Sequence, residues 1–308
     1  MNLKVSIVVS TYNRSRLLKH CLSSLINQNA NNKLFEIIVV DNNSIDNTKD
    51  IIVDFINDFP QFKISYVKET KQGLSYARNA GCINASGEYL AYIDDDAAAS
   101  KNWIKNITRT IDKVKPDILG GPINPYYLSK KPLWFKDAYE IRSQGNKERF
   151  LKEGENLSGS NFIIRKYILK KLGMFNTNLG MRGNRLRYGE EIQIMLEARK
   201  KIGNVQIYYN PEIEVKHLVK KSNLVLLNRL KNKFLSGIQN IDIYGKKRLS
   251  KFRFFVNINI ALFKGAFLIF FGRFFRDKDE CYYYENFIFE KVLPQVSWLA
   301  KNLRGFLS

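Results

Sequence analysis

The segment Tyr89-Leu-Ala-Tyr-Ile-Asp-Asp-Asp96 places three consecutive carboxylates directly after a short apolar run. That run, residues 89–93, has the length and the aromatic and apolar composition of a buried strand. Carboxylates so close together repel one another and destabilise a fold unless hydrogen bonds or a cation neutralise them. The segment therefore predicts a cation site at a strand end, with an acidic turn on the surface as the alternative.

Similar apolar runs alternate with amphipathic patterns along the first half of the chain. They predict strands at 5–9, 35–40 and 64–67 and helices at 17–26, 48–59 and 75–84. Continuous apolar strands that alternate with helices are typical of sheets covered on both faces, so the predicted fold class is α/β with a mostly parallel, Rossmann-like sheet. A helix at 190–201 and a strand at 205–209 continue the pattern, whereas residues 120–154 are predicted to be irregular.

Polar residues follow the first, second and fourth predicted strands. They are Thr11-Tyr12-Asn13, Asp41-Asn-Asn-Ser44 and Asp94-Asp95-Asp96. Because ligands of parallel sheets bind where the carboxyl ends of the strands meet, we expect these segments to line one site. Asp41 can accept a hydrogen bond from a nucleotide ribose or base there, or it can cap the following helix.

The acidic segments suggest a cation and a base. Carboxylate oxygens beside a bound diphosphate suit Mg²⁺ or Mn²⁺, which we predict as the cofactor. The pair Glu190-Glu191 begins a predicted helix, where it either favours the helix dipole or supplies a general base. Ser10-Thr-Tyr-Asn-Arg14, after the first strand, contains no glycine. The glycine-rich phosphate loops of dinucleotide-binding proteins, P-loop proteins and nucleotidyltransferases are therefore excluded.

The composition is that of a folded protein from a reducing compartment. Hydrophobic residues make up 45% of the 308 residues, and the three cysteines, Cys21, Cys82 and Cys281, form no CxxC pair. The first apolar run is too short for the core of a signal peptide. We therefore expect a cytoplasmic protein.

The formal net charge of +21 is concentrated towards the C-terminus. Residues 216–276 contain fourteen lysines and arginines and a single acid, Asp242. Such a segment attracts an anionic membrane, a nucleic acid or a phosphate-bearing substrate. Because the basic residues lead into the phenylalanine-rich stretch 254–275, the sequence favours an anionic membrane surface and no nucleic acid.

The stretch 254–275 is strongly apolar but contains Asn257, Asn259, Lys264 and Arg273. A lysine at the centre of a spanning helix costs about 2.5–3.5 kcal/mol, so we predict an interfacial helix instead. A core helix, an oligomer contact and a single span are the alternatives. The predicted domains are 1–217 and a helical, membrane-associating 218–308, and the predicted location is peripheral, at the inner face of the cell membrane.

Four segments carry a resemblance to a known family. They are Ser6-Ile-Val-Val-Ser-Thr-Tyr-Asn-Arg14, Ile37-Ile-Val-Val-Asp-Asn-Asn-Ser-Ile-Asp46, Gly73-Leu-Ser-Tyr-Ala-Arg-Asn-Ala-Gly81 and Ile93-Asp-Asp-Asp96. In this order and spacing, and onward to about His217, the sequence resembles glycosyltransferase family 2. The resemblance implies the GT-A fold and inverting transfer of a sugar from a nucleotide diphosphate sugar, most often a UDP-sugar. A glycan or lipid-linked acceptor in the synthesis of cell-surface polysaccharide or glycolipid is expected.

The resemblance also implies roles for individual residues. Glu191 is the expected catalytic base, at a position that is more often aspartate in the family. Asp96 is the expected metal ligand, and His217 either completes the metal or diphosphate site or is a buried, satisfied imidazole. The expected nucleotide- and donor-binding residues are Thr11, Tyr12, Asp41, Arg78, Asp94 and Asp95, to which the strand-end pattern adds Asn13.

The acceptor is expected near Ser158-Gly-Ser-Asn161, which resembles the family's small-residue turn or else is an ordinary turn before a strand. Gly159, Ser160 and Glu190 are the predicted contacts. Trp134 is predicted to stack on an acceptor sugar or, alternatively, to pack in the core. The alternative function is a basic nucleic-acid- or membrane-binding protein without catalysis, against which the intact aspartate run argues.

Overall fold

The computed structural model describes residues 3–183, 188–244 and 251–307. These residues form two compact units. The first comprises residues 3–126, 140–183 and 189–218, and the second comprises 127–139, 188 and the described residues from 219 onward. The division into domains 1–217 and 218–308 stays a prediction.

The first unit is built from strands and helices that alternate along the chain. Its strands are β1 Val5–Thr11, β2 Phe35–Asp41, β3 Ile64–Lys68, β4 Tyr89–Asp94, β5 Ala97–Ala99, β6 Ile118–Gly120, β7 Ile123–Tyr126, β8 Arg149–Phe150, β9 Phe162–Arg165, β10 Ile207–Tyr209 and β11 Val215–Leu218. Its helices are α1 Ser15–Ile26, α2 Thr48–Asp58, α3 Leu74–Asn84, α4 Trp103–Val114, α5 Lys166–Lys171 and α6 Glu190–Lys201.

Eight strands form one sheet in the order β3-β2-β1-β4-β9-β6-β10-β8. The strands β1 to β4 pair in parallel, and β9 lies antiparallel between β4 and β6. A smaller sheet has the order β5-β11-β7. The predicted α/β class is confirmed, and the carboxyl ends of β1, β2 and β4 meet at one edge of the larger sheet.

Both faces of the larger sheet are buried, because alternate residues of a strand point to opposite faces. Ile7 and Val9 of β1 belong to a core cluster that includes Leu18 of α1. Val8, between them, belongs to a second cluster that includes Ala77 of α3. Burial on both faces is the reason that β1, β2 and β4 are continuous apolar runs and do not alternate with polar residues.

Most of the elements predicted in the first half of the chain are confirmed to within about two residues. Helix α4 was not predicted, although Trp103, Ile104, Ile107 and Ile111 give it a buried face at helical spacing. The segment 120–154 is mostly irregular, as predicted, but it also contains the strands β7 and β8. These strands are short and are defined by their pairing with β11 and β10, which no local pattern reveals.

The second unit is helical. Its helices are α7 Leu226–Tyr244, α8 Lys251–Phe275, α9 Tyr284–Phe287 and α10 Leu293–Leu307, with a π-helical turn over Ile288–Val292. Helix α10 packs along α7 and also contacts α8. Gly272 of α8 lies so close to the Phe287 ring that a Cβ atom there would overlap it. Among the helices that the structure describes, only α8 has a stretch, Ile258–Phe275, long and apolar enough to cross a membrane by length and composition.

Candidate active site

The three aspartates lie at the carboxyl end of β4, beside the end of β1. The two strands pair in parallel with Ser10 opposite Asp94, which brings the residues after them, Thr11 and Asp95, together. The Thr11 hydroxyl donates a hydrogen bond of 2.8 Å to Asp95 Oδ2. Asp95 and Asp96 are both buried. The ends of the first and fourth predicted strands thus contribute to one cluster, as the polar residues that follow these strands predicted.

Arg14 neutralises part of this buried charge. Its Nη1 lies 2.9 Å from Asp95 Oδ1 and 3.2 Å from Asp96 Oδ2. Burial raises the pKa of Asp95, Arg14 opposes the rise, and the charge of Asp96 adds to it. We did not assign a role to Arg14 from the sequence. The sequence does place this basic residue just after β1, and the predicted strand 89–93 is followed by three aspartates. That pattern could have indicated an ion pair between them.

Asp94, Asp96 and His217 bring three potential metal ligands together. His217 Nε2 lies 3.2 Å from Asp96 Oδ1 and 3.5 Å from Asp94 Oδ2. One ligand atom from each residue lies within 4.8 Å of the other two. β11 supplies the histidine because it pairs with β5, directly after the aspartates, with His217 opposite Ala97. Two carboxylates and an imidazole fit a divalent cation.

The charges of these residues depend on one another. Burial alone would raise the pKa of Asp94, but the hydrogen bond from His217 and the charges of Arg78, His217 and Arg14 hold it below its usual range. Burial would lower the pKa of His217, but the hydrogen bond to Asp94 and the charges of Asp96 and Asp94 raise it. The imidazole and the two carboxylates therefore each favour the charged form of the other.

Arg78 of α3 connects the end of β4 to the start of α6. Its Nη1 donates to Glu190 Oε1 at 2.7 Å, and its Nη2 donates to Asp94 Oδ1 at 3.2 Å and to the Gly159 carbonyl at 3.2 Å. Glu190, the predicted acceptor contact, is thus the buried partner of Arg78. Burial and the charge of Glu191 raise the pKa of Glu190, and Arg78 opposes them.

Glu191, next along α6, faces the turn before β9. Its Oε1 accepts a hydrogen bond of 3.2 Å from the Gly159 N–H. A Cβ atom on Gly159 would lie 3.2 Å from Glu191 Cδ and 2.9 Å from Arg78 Nη2. A larger residue at position 159 would therefore push the ends of both side chains away from this backbone.

The turn Gly159–Asn161 is fixed from within the first unit. The Asn161 amide donates to the Ile213 carbonyl at 2.7 Å, and its Oδ1 accepts from Trp103 Nε1 at 3.0 Å. Ser160 is buried, and its hydroxyl has no hydrogen-bond partner among the residues that the structure describes. Because leaving a buried hydroxyl unpaired costs free energy, Ser160 is suited to bind a ligand oxygen.

Asp41 ends β2 and shapes the loop that follows. Its Oδ1 accepts from the Ser44 N–H at 2.8 Å and its Oδ2 accepts from the Tyr66 hydroxyl at 3.1 Å. Burial and this second hydrogen bond raise the pKa of Tyr66 to about 12. The residue that precedes α2 is Asn47, so Asp41 shapes the loop before this helix and does not cap it. A nucleotide contact by Asp41 stays a prediction. Tyr66 escaped the sequence analysis because only the pairing of β2 with β3 brings it to Asp41.

Asn13 ties the end of β1 to the same loop. Its φ of 50° lies in the left-handed region, which asparagine tolerates better than most residues. Its N–H donates to Ser44 Oγ at 2.9 Å, and its Oδ1 accepts from the Ile45 N–H at 2.8 Å. Tyr12, the preceding residue, is half-buried. Nucleotide binding by Thr11, Tyr12 and Asn13 stays a prediction.

Trp134 belongs to the second unit, where aromatic rings surround it. Its ring centroid lies 5.3 Å from that of Phe135 and 6.5 Å from that of Phe289. Its carbonyl accepts a hydrogen bond from the Asn286 side chain. The packing role is therefore present, and stacking on an acceptor sugar stays a prediction.

The fold of the chain is shared with solved glycosyltransferases of the GT-A class. Staphylococcus aureus TarS 1–349, solved in complex with UDP-GlcNAc, matches with a TM-score of 0.56 and 16% identity, over 98% of this chain and 92% of that one. The mannosyltransferase PcManGT from Pyrobaculum calidifontis, solved with GDP-Man and Mn²⁺, matches with a TM-score of 0.63 and 15% identity, over 99% of this chain and 85% of that one. The first unit therefore has the expected GT-A fold.

The family follows from the sequence itself. The model of glycosyl transferase family 2 matches residues 6–173, which is more than half of the chain. The protein belongs to this family and is a glycosyltransferase, which confirms the resemblance given by the four sequence segments.

Two curated relatives are similar over much of the chain. The glucosyl-dolichyl phosphate glucuronosyltransferase of Haloferax volcanii is 27% identical over 222 residues, 70% of this chain and 69% of that protein. The GalNAc(5)-diNAcBac-PP-undecaprenol beta-1,3-glucosyltransferase of Campylobacter jejuni is 27% identical over 199 residues, 64% of this chain and 60% of that protein. The match thus spans less than two thirds of the Campylobacter enzyme.

Proposed function

We propose that this protein is a metal-dependent, inverting glycosyltransferase that moves a sugar from a nucleotide diphosphate sugar, a UDP-sugar, to a glycan or lipid-linked acceptor. The observation that carries the proposal is the cluster of Asp94, Asp96 and His217, joined through Arg78 to the turn that holds Glu191. The names of the two curated relatives, which refer to dolichyl phosphate and to undecaprenol, support a lipid-linked acceptor in cell-surface polysaccharide or glycolipid synthesis.

The donor is proposed to bind along the strand ends. Thr11, Tyr12 and Asn13 line the nucleotide side, and Asp41 accepts a hydrogen bond from the base. Asp95 contacts the ribose or sugar, with its carboxylate oriented by the Thr11 hydroxyl and Arg14. Thr11, Asn13, Asp41 and Asp95 already form hydrogen bonds within the protein, which reduces the ordering that binding requires.

Asp94, Asp96 and His217 are proposed to hold Mn²⁺ or Mg²⁺. When bound, such an ion supplies positive charge that stabilises the negative charge developing on the departing diphosphate. Arg78 positions Asp94 through its 3.2 Å hydrogen bond, and Arg14 positions Asp96 at the same distance. These hydrogen bonds fix the orientation of the two carboxylates, and the charge of Arg78 favours the ionised form of Asp94.

Glu191 is the proposed catalytic base. It removes the proton of an acceptor hydroxyl as the oxygen of that hydroxyl attacks the anomeric carbon on the face opposite the diphosphate, which inverts the configuration. The Gly159 N–H holds one of its oxygens. That hydrogen bond helps to fix the orientation of the carboxylate.

The acceptor is proposed to lie beside the Gly159–Asn161 turn. The unpaired hydroxyl of Ser160 and the backbone of Gly159 are the proposed contacts. Glu190 acts indirectly, by fixing Arg78. Stacking of Trp134 on the acceptor sugar stays a prediction.

We also propose that the protein works in the cytoplasm, peripherally bound to the inner face of the cell membrane. The basic excess of residues 216–276 and the apolar stretch Ile258–Phe275 support this location. A lipid-linked acceptor would be available at such a surface.

The proposal is tested by thermal shift with UDP, UDP-GlcNAc and GDP-mannose, each with Mn²⁺ or Mg²⁺. At least one nucleotide diphosphate should raise the Tm in the presence of metal, because a ligand that binds the folded state stabilises it. Asp96→Ala should abolish the shift. Asp112→Ala, which removes an exposed aspartate paired with Lys4, is the matched control and should keep it. The absence of any shift, or an unchanged shift in Asp96→Ala, would refute the proposal, and a product of retained anomeric configuration would refute inversion.

A further inference from the structure

Helix α8 exposes large apolar side chains over most of its circumference. Four of its phenylalanines are at least 73% exposed: Phe263 (73%), Phe270 (74%), Phe274 (78%) and Phe275 (75%). Removing such rings from water is favourable in proportion to the apolar area that is buried. Exposed apolar surface of this extent marks a site of contact with another apolar body.

One narrow stripe of α8 is covered by the second unit itself. Ala261 and Gly272 are buried, and Gly265 and Leu268 between them are half-buried. Spacings of four, three and four residues place these side chains on one face of a helix. Gly272 contacts the Phe287 ring, so this face packs on protein.

The opposite face of α8 carries what we call the phenylalanine ridge: Phe263, Phe267, Phe270 and Phe274. At about 100° per residue, these four rings lie within about 60° of one another and about half a turn from the covered stripe. All four are exposed, including Phe267 at 46%. The ridge is thus a continuous apolar line on the side of α8 turned away from its own unit.

Two basic residues flank the ridge. Lys264 and Arg273 lie on opposite sides of it, each about a quarter turn away. In a helix that lies in the plane of a membrane, these flanks are at the boundary of lipid and water, where long basic side chains reach the lipid phosphates. A spanning helix would instead bury the charge of Lys264, which lies inside the stretch Ile258–Phe275, in the apolar interior of the bilayer, where a charged side chain is strongly disfavoured.

We infer that the phenylalanine ridge docks on an anionic lipid surface, with its four rings among the acyl chains and Lys264 and Arg273 at the headgroups. The fourteen basic residues within 216–276 provide the charge complementarity. The inference deepens the proposed membrane location by assigning its contact surface and orientation. The inference is tested by lipid binding and not by enzyme activity. A result that contradicts it is therefore distinct from a result that contradicts sugar transfer.

Flotation of the full chain provides the first test. The protein should float with vesicles of equimolar phosphatidylcholine and phosphatidylglycerol, and much less with phosphatidylcholine alone. The double variant Phe263→Ser/Phe270→Ser should partition at least about tenfold more weakly, because two rings are lost from the apolar contact. Phe271→Ser/Phe275→Ser is the matched control on the same helix, and its partition should fall clearly less, since both rings lie beside Lys264 and outside the ridge.

Conservative variants provide a second test that does not depend on tolerating serine. Tryptophan fluorescence of Phe270→Trp should be quenched by lipids brominated in the acyl chain, and Phe275→Trp should be quenched less, each relative to the unsubstituted protein. Three results would overturn an in-plane ridge. The two tryptophan variants could be quenched equally, the two double variants could lose flotation equally, or the protein could resist extraction by alkaline carbonate. A lipid-free dimer that only the ridge variant dissociates, with flotation unchanged, would assign the ridge to a second copy of the chain and overturn the inference.

Discussion

The guanidinium of Arg78 donates a hydrogen bond of 2.7 Å to the Glu190 carboxylate, and both side chains are buried. The two residues are 112 positions apart in the chain, so the pair fixes α3 to the start of α6. The same guanidinium holds Asp94 and the Gly159 carbonyl. One arginine thus determines the relative positions of a proposed metal ligand and of the turn that contacts Glu191.

Replacing Arg78 with methionine is expected to lower the free energy of unfolding by about 3–5 kcal/mol, because Glu190 is left buried without its charged partner. Urea denaturation measures this loss. Glu190→Gln in the Arg78→Met background should recover part of it, since the uncompensated charge is removed. A loss below about 1 kcal/mol, or no recovery in the double variant, would contradict a stabilising buried pair.

His217→Ala is expected to weaken Mn²⁺ binding at least about tenfold, since even residues that only support a ligand change metal affinity by about 10–100-fold. Titration of Mn²⁺ followed by electron paramagnetic resonance, in the presence of UDP, measures the affinity. The chain has two histidines, and the other one, His20, supplies the control. Its ring lies 5.6 Å from that of Tyr126 and is not in the ligand cluster, so His20→Ala should bind Mn²⁺ normally. Equal affinities for both variants would remove His217 from the metal site.

Glu191→Gln is expected to reduce kcat by about 10²–10⁴ while donor binding is retained, because the amide keeps the shape of the side chain but cannot accept the acceptor's proton. Steady-state kinetics together with UDP binding separate the two effects. Glu197→Gln, on the same helix and paired with Lys201, is the matched control and should keep its kcat. A kcat that is unchanged in Glu191→Gln would require another base.

Glu36 predicts a pH dependence of stability away from the site. Its Oε1 accepts hydrogen bonds of 2.6 Å from the Ser6 hydroxyl and the Ser86 N–H, and its Oε2 lies 2.5 Å from Lys63 Nζ. Burial would raise the pKa of Glu36, but these hydrogen bonds and the charge of Lys63 hold it below its usual value. The ionised form is therefore the one that stabilises the fold.

Glu36→Gln should accordingly lower the free energy of unfolding by about 1–3 kcal/mol at neutral pH. The pKa of Glu36 is lower in the folded state than in the unfolded state, where it is about 4.3. The difference in unfolding free energy between the unsubstituted protein and Glu36→Gln is therefore constant above about pH 4.3. It is lost as the pH falls through the lower folded-state pKa. Urea denaturation between neutral pH and about pH 3 follows the difference. Exposed Glu88 gives the control, since Glu88→Gln should change stability by less than about 0.5 kcal/mol. If the stability difference between the unsubstituted protein and Glu36→Gln increased on acidification, the predicted depression of the Glu36 pKa would be contradicted.

Local sequence patterns located the elements that bury apolar residues at regular spacing. β1, β2 and β4 are recognisable because both of their faces are buried, and α6 begins and ends where its pattern does, at Glu190 and Lys201. Short elements such as β7 were not found, since three or four residues carry no period of their own. Their pairing with distant strands defines them.

The sequence by itself determined the α/β class, the acidic end of β4 and, through four segments in the order and spacing typical of it, the family. Only the tertiary structure decided that Arg14 neutralises Asp95 and Asp96, that Glu190 is buried against Arg78, and that His217 completes a cluster with Asp94 and Asp96. It also separated the two sides of α8 into a covered stripe and an exposed ridge. The physical reason is that backbone preference and apolar spacing are local properties of the chain. Charge pairing and burial depend on distances between residues that only the folded sheet and packed helices bring together.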